Sequence, residues 1–366
     1  MNIAQIAPLT ECCPPLYYGG TERIVSYLTE ELVRQGHEVT LFASGGSQTR
    51  GELVPCCETA LRTDPKIHDP LPYLVLMLEE VRRRADEFDA LHFHIEFLHY
   101  PLAAAFAGRM VTTLHGRLDL RELRPFYSAF PHHPLVSISD NQRGPMPPVN
   151  WAGTVHNGLP KDLLPFTARP AGDYLAFLGR ISPEKRPDLA IEIAVRAGVP
   201  LKIAAKIDRV DIAYWDEVIA PMVARHPDVE FLGEIGDSQK AGFLGNARAL
   251  LFPIDWPEPF GLVMIESMAC GTPIIAFRQG SVPEVVEHGV TGHVATTVEE
   301  AVLAVSLIEK LDRARVRAVF EERHTAERMA LDYLRIYRDL PGRRPALRSP
   351  LEAPDPMNGS GLQAVA

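Results

Sequence analysis

Short apolar, β-branched runs alternate with amphipathic helical stretches, and the alternation passes through the chain twice. A parallel sheet requires both parts, strands buried on two faces and helical crossovers that return the chain. In the first series, strands are expected near residues 2–7, 38–43, 90–94, 110–114, 135–138 and 154–156. A helix from Thr21 presents Ile24, Val25, Leu28, Leu32 and Val33 on one face, and Gly36 supplies a left-handed stop. Pro160, Pro165, Pro170 and Gly172 then break the pattern. The second series opens at Tyr174, with strands expected near 174–178, 201–205, 229–232, 250–252, 273–277 and 293–295. Pro187 and Pro283 suit first helical turns, Asp237-Ser238 is a candidate cap, and Thr325 can cap a last helix. Two similarly built α/β domains follow, and ligands of such sheets bind outside the carboxyl ends of the strands.

Composition narrows the class. Forty-seven acidic against 37 basic residues give a formal charge of −10, which argues against a non-specific nucleic-acid binder. The first residues, Met1 to Pro8, have no basic region and no long apolar region, so they read as a first strand and not a secretion signal; a cytoplasmic location is expected. No stretch approaches the ~18 apolar residues of a membrane span, while peripheral membrane contact stays open. Cys12-Cys13, Cys56-Cys57 and Cys270 match neither a zinc spacing nor a redox motif, and reduced thiols are expected. The segment 341–366 carries five prolines and little apolar periodicity and is expected to be a disordered tail.

The most informative stretch runs from Asp255 to Pro273, with Glu258, Phe260, Gly261, Leu262 and Glu266 between a strand and a helix. The first amides of such a helix lack internal partners and face an anion favourably. Glu258 and Glu266 stand eight residues apart, about 12 Å of rise and ~80° of rotation if helical, which suits contacts to two parts of an elongated ligand. On spacing alone, Glu258 is equally a loop residue near the helix dipole and Glu266 a solvated one. Upstream, Gly179-Arg180 and Pro183-Glu184-Lys185 leave a strand into a helix start, so Arg180 and Lys185 can neutralise a diphosphate or be ordinary surface charges. Tyr17-Tyr18-Gly19-Gly20-Thr21 offers another glycine-rich helix start, or a plain turn. His115 ends an apolar strand before Gly116; His92, His94 and His99 fit a structural role better than a metal site.

These elements, in this order, resemble the retaining glycosyltransferases of family 4, which have the GT-B fold: two Rossmann-like parallel-sheet domains facing an interdomain cleft. The resemblance covers roughly residues 2–340 and rests on Glu258 to Glu266, the Gly179 to Lys185 turn, Gly19-Gly20, Leu114-His115-Gly116 and Asn157-Gly158. It implies an acceptor-side domain at 1–165, a nucleotide-sugar domain at 166–325 and a helix at 326–340 crossing back to the first domain. It further implies transfer of a hexose, with retention, from a nucleotide diphosphate sugar to a hydroxyl acceptor. UDP-sugars are favoured and GDP-sugars remain open, as part of carbohydrate biosynthesis, with neither cofactor nor metal.

By that resemblance Arg180 and Lys185 grip the diphosphate, Glu266 takes the ribose hydroxyls, and Glu258 and His115 face the donor sugar. Phe260, Gly261 and Leu262 contact the sugar and diphosphate through their amides, and Gly19 and Gly20 close on the donor from the other domain. The base is expected near 232–235. Glu11 to Pro15 and Pro145 to Pro148 are not family hallmarks and lie where acceptor-facing loops are expected, so the acceptor is unspecified. A GT-B epimerase or phosphorylase, or a non-catalytic sugar-nucleotide binder, stays open as an alternative.

Overall fold

The computed structural model describes residues 1–16, 19–106 and 108–342. Tyr17 and Tyr18 of the glycine-rich loop, and all but Pro341 and Gly342 of the segment expected to be a tail, lie outside the described residues.

The first sheet contains β1 (Asn2–Ile6), β2 (Glu38–Ala43), β3 (Glu52–Pro55), β4 (Ala90–Phe93), β5 (Met110–Leu114), β6 (Leu135–Ser137) and β7 (Trp151–Thr154). Every pairing is parallel, in the order β3-β2-β1-β4-β5-β6-β7. The second holds β8 (Leu175–Arg180), β9 (Leu201–Lys206), β10 (Val229–Gly233), β11 (Ala249–Phe252), β12 (Ile274–Phe277) and β13 (Gly292–Ala295). It too is parallel throughout, ordered β10-β9-β8-β11-β12-β13. The protein therefore has the GT-B architecture of two Rossmann-like sheets. In each sheet the strand order reverses beside its first strand, between β1 and β4 and between β8 and β11, and a crevice opens at such a reversal.

Helices cover the sheets, and four of them position the site: α1 (Gly20–Arg34), α2 (Asp237–Gly245), α3 (Leu262–Ala269) and α4 (Ala326–Arg338). In α1, Ile24, Val25, Leu28 and Leu32 are fully buried, and Gly36 takes the left-handed conformation after its end. Thr325 caps α4, its hydroxyl accepting from the Arg328 amide at 3.2 Å. This last helix packs on α1 and carries Tyr333 and Tyr337, both fully buried, into the first domain.

Three local expectations change. β3 has no counterpart in the sequence reading, because four half-exposed edge residues carry too little apolar signal. β7 lies at Trp151–Thr154, N-terminal to the expected 154–156, with a register shift against β6 at Leu135/Val136. Asp237 is the first residue of α2 and not its cap; Gly236 occupies the cap, its N–H donating to Gln239 Oε1 at 3.2 Å, while the Asp237 carboxylate pairs with Arg23. Among the described residues no helix is long and apolar enough to cross a membrane.

The chain passes between the sheets twice, side by side. Leu159 N–H donates to the His324 carbonyl at 2.9 Å and the Leu159 carbonyl accepts from Ala326 at 2.7 Å. A Cβ at Gly158 would lie 2.2 Å from the Thr325 carbonyl oxygen, so the two passages touch backbone to backbone.

Candidate active site

The two crevices face each other and merge into one cleft of about 560 Å³. Gly19, Gly20, His115, Arg180, Lys185, Glu258, Phe260, Gly261, Leu262 and Glu266, all singled out from the sequence, line it together. Ile235 and Glu234 line it as well, whereas Leu232 is 40% exposed outside the wall, so only part of the stretch expected near the base faces the cleft.

On the second-domain wall, Arg180 is the last residue of β8. Its guanidinium lies 2.7 Å from Glu184, 3.6 Å from Asp208 and 3.7 Å from Asp211. Lys185 ends the short turn Pro183–Lys185 and its ammonium is ion-paired with Glu258. The same ammonium stands 5.0 Å from the Trp256 ring centroid, and the Trp256 indole N–H donates to Glu258 at 2.8 Å. Glu258 is thus an immobilised carboxylate on the loop between β11 and α3, a loop residue before the helix as the spacing allowed, but a buried one.

Gly261 caps α3 with φ 78°, a left-handed conformation that a side chain disfavours. A Cβ there would also meet Met264 and Phe252 at 3.0 Å each. The first amides of α3 have no partner within the helix and open towards the cleft at Leu262. Glu266, one turn further on, is 5% exposed and held by Lys240 of α2 at 2.8 Å. The spacing of the two glutamates therefore places two buried, partnered carboxylates along one wall.

On the opposite wall, Gly19 and Gly20 enter α1, and a Cβ at Gly19 would lie 2.8 Å from Pro15. Arg23, one turn on, is buried and reaches across to Asp237. His115 follows β5; its own N–H and that of Gly116 donate to Glu96 Oε1 at 3.3 and 3.2 Å. Burial pushes the His115 imidazole down to about 4, so the ring is neutral at physiological pH. His115 Nε2 lies 2.8 Å from His94 Nδ1. The walls also touch directly: Ser139 Oγ donates to the Pro259 carbonyl at 2.6 Å, and Glu284 accepts from the Asp140 and Asn141 amides at 2.8 and 2.7 Å.

Several participants carried no signal of their own in the sequence. Arg23, and Asp237 beyond its reading as a cap, become visible only once α1 and α2 face each other, Lys240 only because α2 lies beside Glu266, and Gly280 only because a Cβ there would lie 2.3 Å from the Glu258 nitrogen. His92 and His99 hold no metal arrangement: His92 bonds Tyr337 and Thr113 at 2.7 Å each, and His99 bonds Thr112 at 2.8 Å and stacks on Phe93. Among the described residues no group of three or more His, Cys, Asp or Glu could hold a metal ion. All five cysteines are free.

Comparison with known proteins agrees with this geometry. Residues 167–326 match the family model described as glycosyl transferases group 1, and residues 18–141 match glycosyltransferase family 4. A D-inositol 3-phosphate glycosyltransferase of Mycolicibacterium smegmatis is 31% identical over 183 residues, 47% of this chain and 42% of that protein, so the match spans less than half of that relative's length. A phosphatidyl-myo-inositol mannosyltransferase of Mycobacterium leprae is 24% identical over 353 residues, 85% of this chain and 87% of its own. Sucrose-phosphate synthase from Thermosynechococcus elongatus superposes with a TM-score of 0.75 at 19% identity, covering 93% of this chain and 99% of that one. Anabaena HepE in complex with UDP and glucose gives 0.68 at 20%, covering 92% and 98%. At these identities the solved structures speak for the fold alone. With both halves of the chain matched by their family models, the protein belongs to the family 4 glycosyltransferases of the GT-B fold.

Proposed function

We propose that the protein is a retaining hexosyltransferase that moves a sugar from a nucleotide diphosphate donor, a UDP-sugar in preference to a GDP-sugar, to a hydroxyl acceptor. The observation that carries this reading is the convergence of Arg180, Lys185 and the α3 N-terminus on one wall of a single cleft, with Glu258 and Glu266 along it and His115 opposite. HepE, of the same fold, binds UDP and glucose, which supports the donor class. Residues 1–165 carry the acceptor side in this reading and 166–325 the donor side.

The chemistry breaks the bond between the anomeric carbon and the phosphate oxygen, and charge develops on the departing diphosphate. Fixed cations and helix amides at that oxygen lower the barrier because they need no reorganisation. Arg180, Lys185 and the α3 amides serve this purpose, so turnover is expected to survive EDTA. The acceptor oxygen attacks the same face of the sugar, and its proton passes to the departing phosphate oxygen. Glu266 holds the ribose hydroxyls, while Glu258 and the neutral His115 orient the sugar. Contact between the walls at Ser139 and Pro259 helps exclude water from the reacting bond.

Calorimetric titration with UDP, GDP and ADP in excess EDTA tests the assignment. Micromolar binding of UDP, or of GDP, is the expected result; binding of none of the three overturns it. Donor turnover in the absence of any acceptor hydroxyl would point instead to an epimerase or phosphorylase, and binding without turnover to a sugar-nucleotide binder.

A further inference from the structure

Behind His115, polar side chains run in single file through the first domain to the last helix. His115 Nε2 stands 2.8 Å from His94 Nδ1, and His94 Nε2 stands 2.8 Å from Gln5 Oε1. Gln5 Nε2 donates to the Tyr337 hydroxyl at 3.1 Å, and that hydroxyl lies 2.7 Å from His92 Nδ1. His92 Nε2 then reaches Thr113 Oγ1 at 2.7 Å, which lies 3.0 Å from the Tyr333 hydroxyl. Every member behind His115 is at most 2% exposed. Polar groups at such depth are costly unless bonded, and a complete file is stiffer than its separate pairs.

Gln5 sets the direction of the file because its two ends differ, the oxygen accepting only and the nitrogen donating only. With Oε1 towards His94, the His94 proton sits on Nε2. A neutral His94 then accepts at Nδ1, and burial keeps both His92 and His94 well below the usual imidazole range. His115 must therefore donate from Nε2, which leaves Nδ1 with a lone pair for the cleft. On the far side, Tyr337 accepts from Gln5 and donates to His92, which donates to Thr113. The whole file points one way, inward from His115.

We propose that Gln5 and Tyr337, neither of which lines the cleft, are positioning residues that fix the tautomer of His115, so that its Nδ1 meets a donor hydroxyl as an acceptor. The identity of that hydroxyl rests on the donor reading given above; the tautomer does not. Reversing the Gln5 amide reverses every bond in the file and turns His115 Nδ1 into a donor, so one buried amide decides what the cleft presents.

The test is nitrogen NMR of the histidine rings in the full chain with no nucleotide added. The wild type is expected to show His115 protonated at Nε2. Tyr337→Phe removes the hydroxyl that holds the Gln5 nitrogen, and is expected to shift His115 towards a mixture of tautomers with the near-ultraviolet spectrum of the fold retained. Gln5→Leu, which removes the acceptor from His94, gives the same readout should the first variant fold poorly. An Nδ1-protonated His115 in the wild type, or an unchanged Nε2 tautomer in both variants, overturns the proposal. Because no sugar nucleotide takes part, a failed donor site and a failed relay are told apart: absence of UDP binding counts against the donor reading only.

Discussion

Lys185 and Glu258 are ion-paired on the second-domain wall of the cleft, with the ammonium over the Trp256 ring and the carboxylate taking the Trp256 indole N–H. The cation expected to grip the diphosphate and the carboxylate expected to face the sugar satisfy each other. On the donor reading proposed above, a diphosphate that reaches Lys185 would take the place of Glu258, which would keep the Trp256 indole N–H as its partner beside the sugar. Donor binding would then be an exchange of partners.

Removing either partner separates the two roles. Lys185→Ala is expected to weaken UDP binding by roughly 10-fold or more, the worth of a charge-assisted hydrogen bond. Glu258→Gln releases Lys185 and is expected to leave UDP binding equal or a few-fold tighter while turnover falls. Calorimetry and initial rates on both variants check this; equal losses of UDP affinity in the two would contradict the exchange.

Glu266 is held by Lys240, whose other carboxylate partner is Asp237 at 3.3 Å. Glu266→Ala leaves that buried ammonium short of a partner, at a cost of about 1–3 kcal/mol. Glu266→Gln keeps an acceptor and should cost less. Urea unfolding separates these, and the loss of preference for UDP over its 2′,3′-dideoxy analogue in Glu266→Gln would report on ribose recognition.

Stability should decline in mild acid. Burial holds His115 at about 4 and His324 at about 3, and pushes His92, His94 and His99 well below the ordinary value. The unfolded chain titrates these groups near 6.5, so below that pH it binds more protons than the folded chain. Their contribution is complete above about pH 6.5 and is lost as the pH falls towards 4, each group adding a slope of about 1.4 kcal/mol per pH unit. A urea midpoint that stays level between pH 7.5 and 5.5 would contradict this.

Gly280 has φ 52°, and a Cβ there would lie 2.3 Å from the Glu258 nitrogen. Gly280→Ala is expected to push the Glu258 loop out of place, costing roughly 1–3 kcal/mol in stability. Turnover should fall by more than UDP affinity, since Arg180 and the α3 amides do not rest on Gly280. The paired measurement is a melting curve and a rate under saturating donor.

How much of this was legible beforehand depended on the range of the interaction. Most of the strands carry local apolar runs, and the glycines at 19, 20 and 261 sit beside helix starts, so the architecture and the cleft-lining residues could be named from the chain alone. β3 could not, because at the sheet edge only Leu53 and Val54 of its four residues pack inward, too short an apolar signal to read. Nor could the partners. Lys240 is 26 residues from Glu266, Lys185 is 73 from Glu258, and Gln5 is 332 from Tyr337, so these meetings depend on how helices and loops pack within each domain, beyond the reach of local periodicity. The sequence marks the histidines at 92 and 94 as structural, and both bond within the buried polar file behind His115.

The last helix makes the first domain depend on the far end of the chain. Tyr333 and Tyr337 fill its interior and satisfy Thr113, His92 and Gln5, yet they follow the whole second sheet in sequence. As the chain emerges from the ribosome, β1 to β7 are made before the hydroxyls of Tyr333 and Tyr337 that complete the bonds of Thr113, His92 and Gln5. The second domain can complete its sheet first, and the N-terminal half is sealed last.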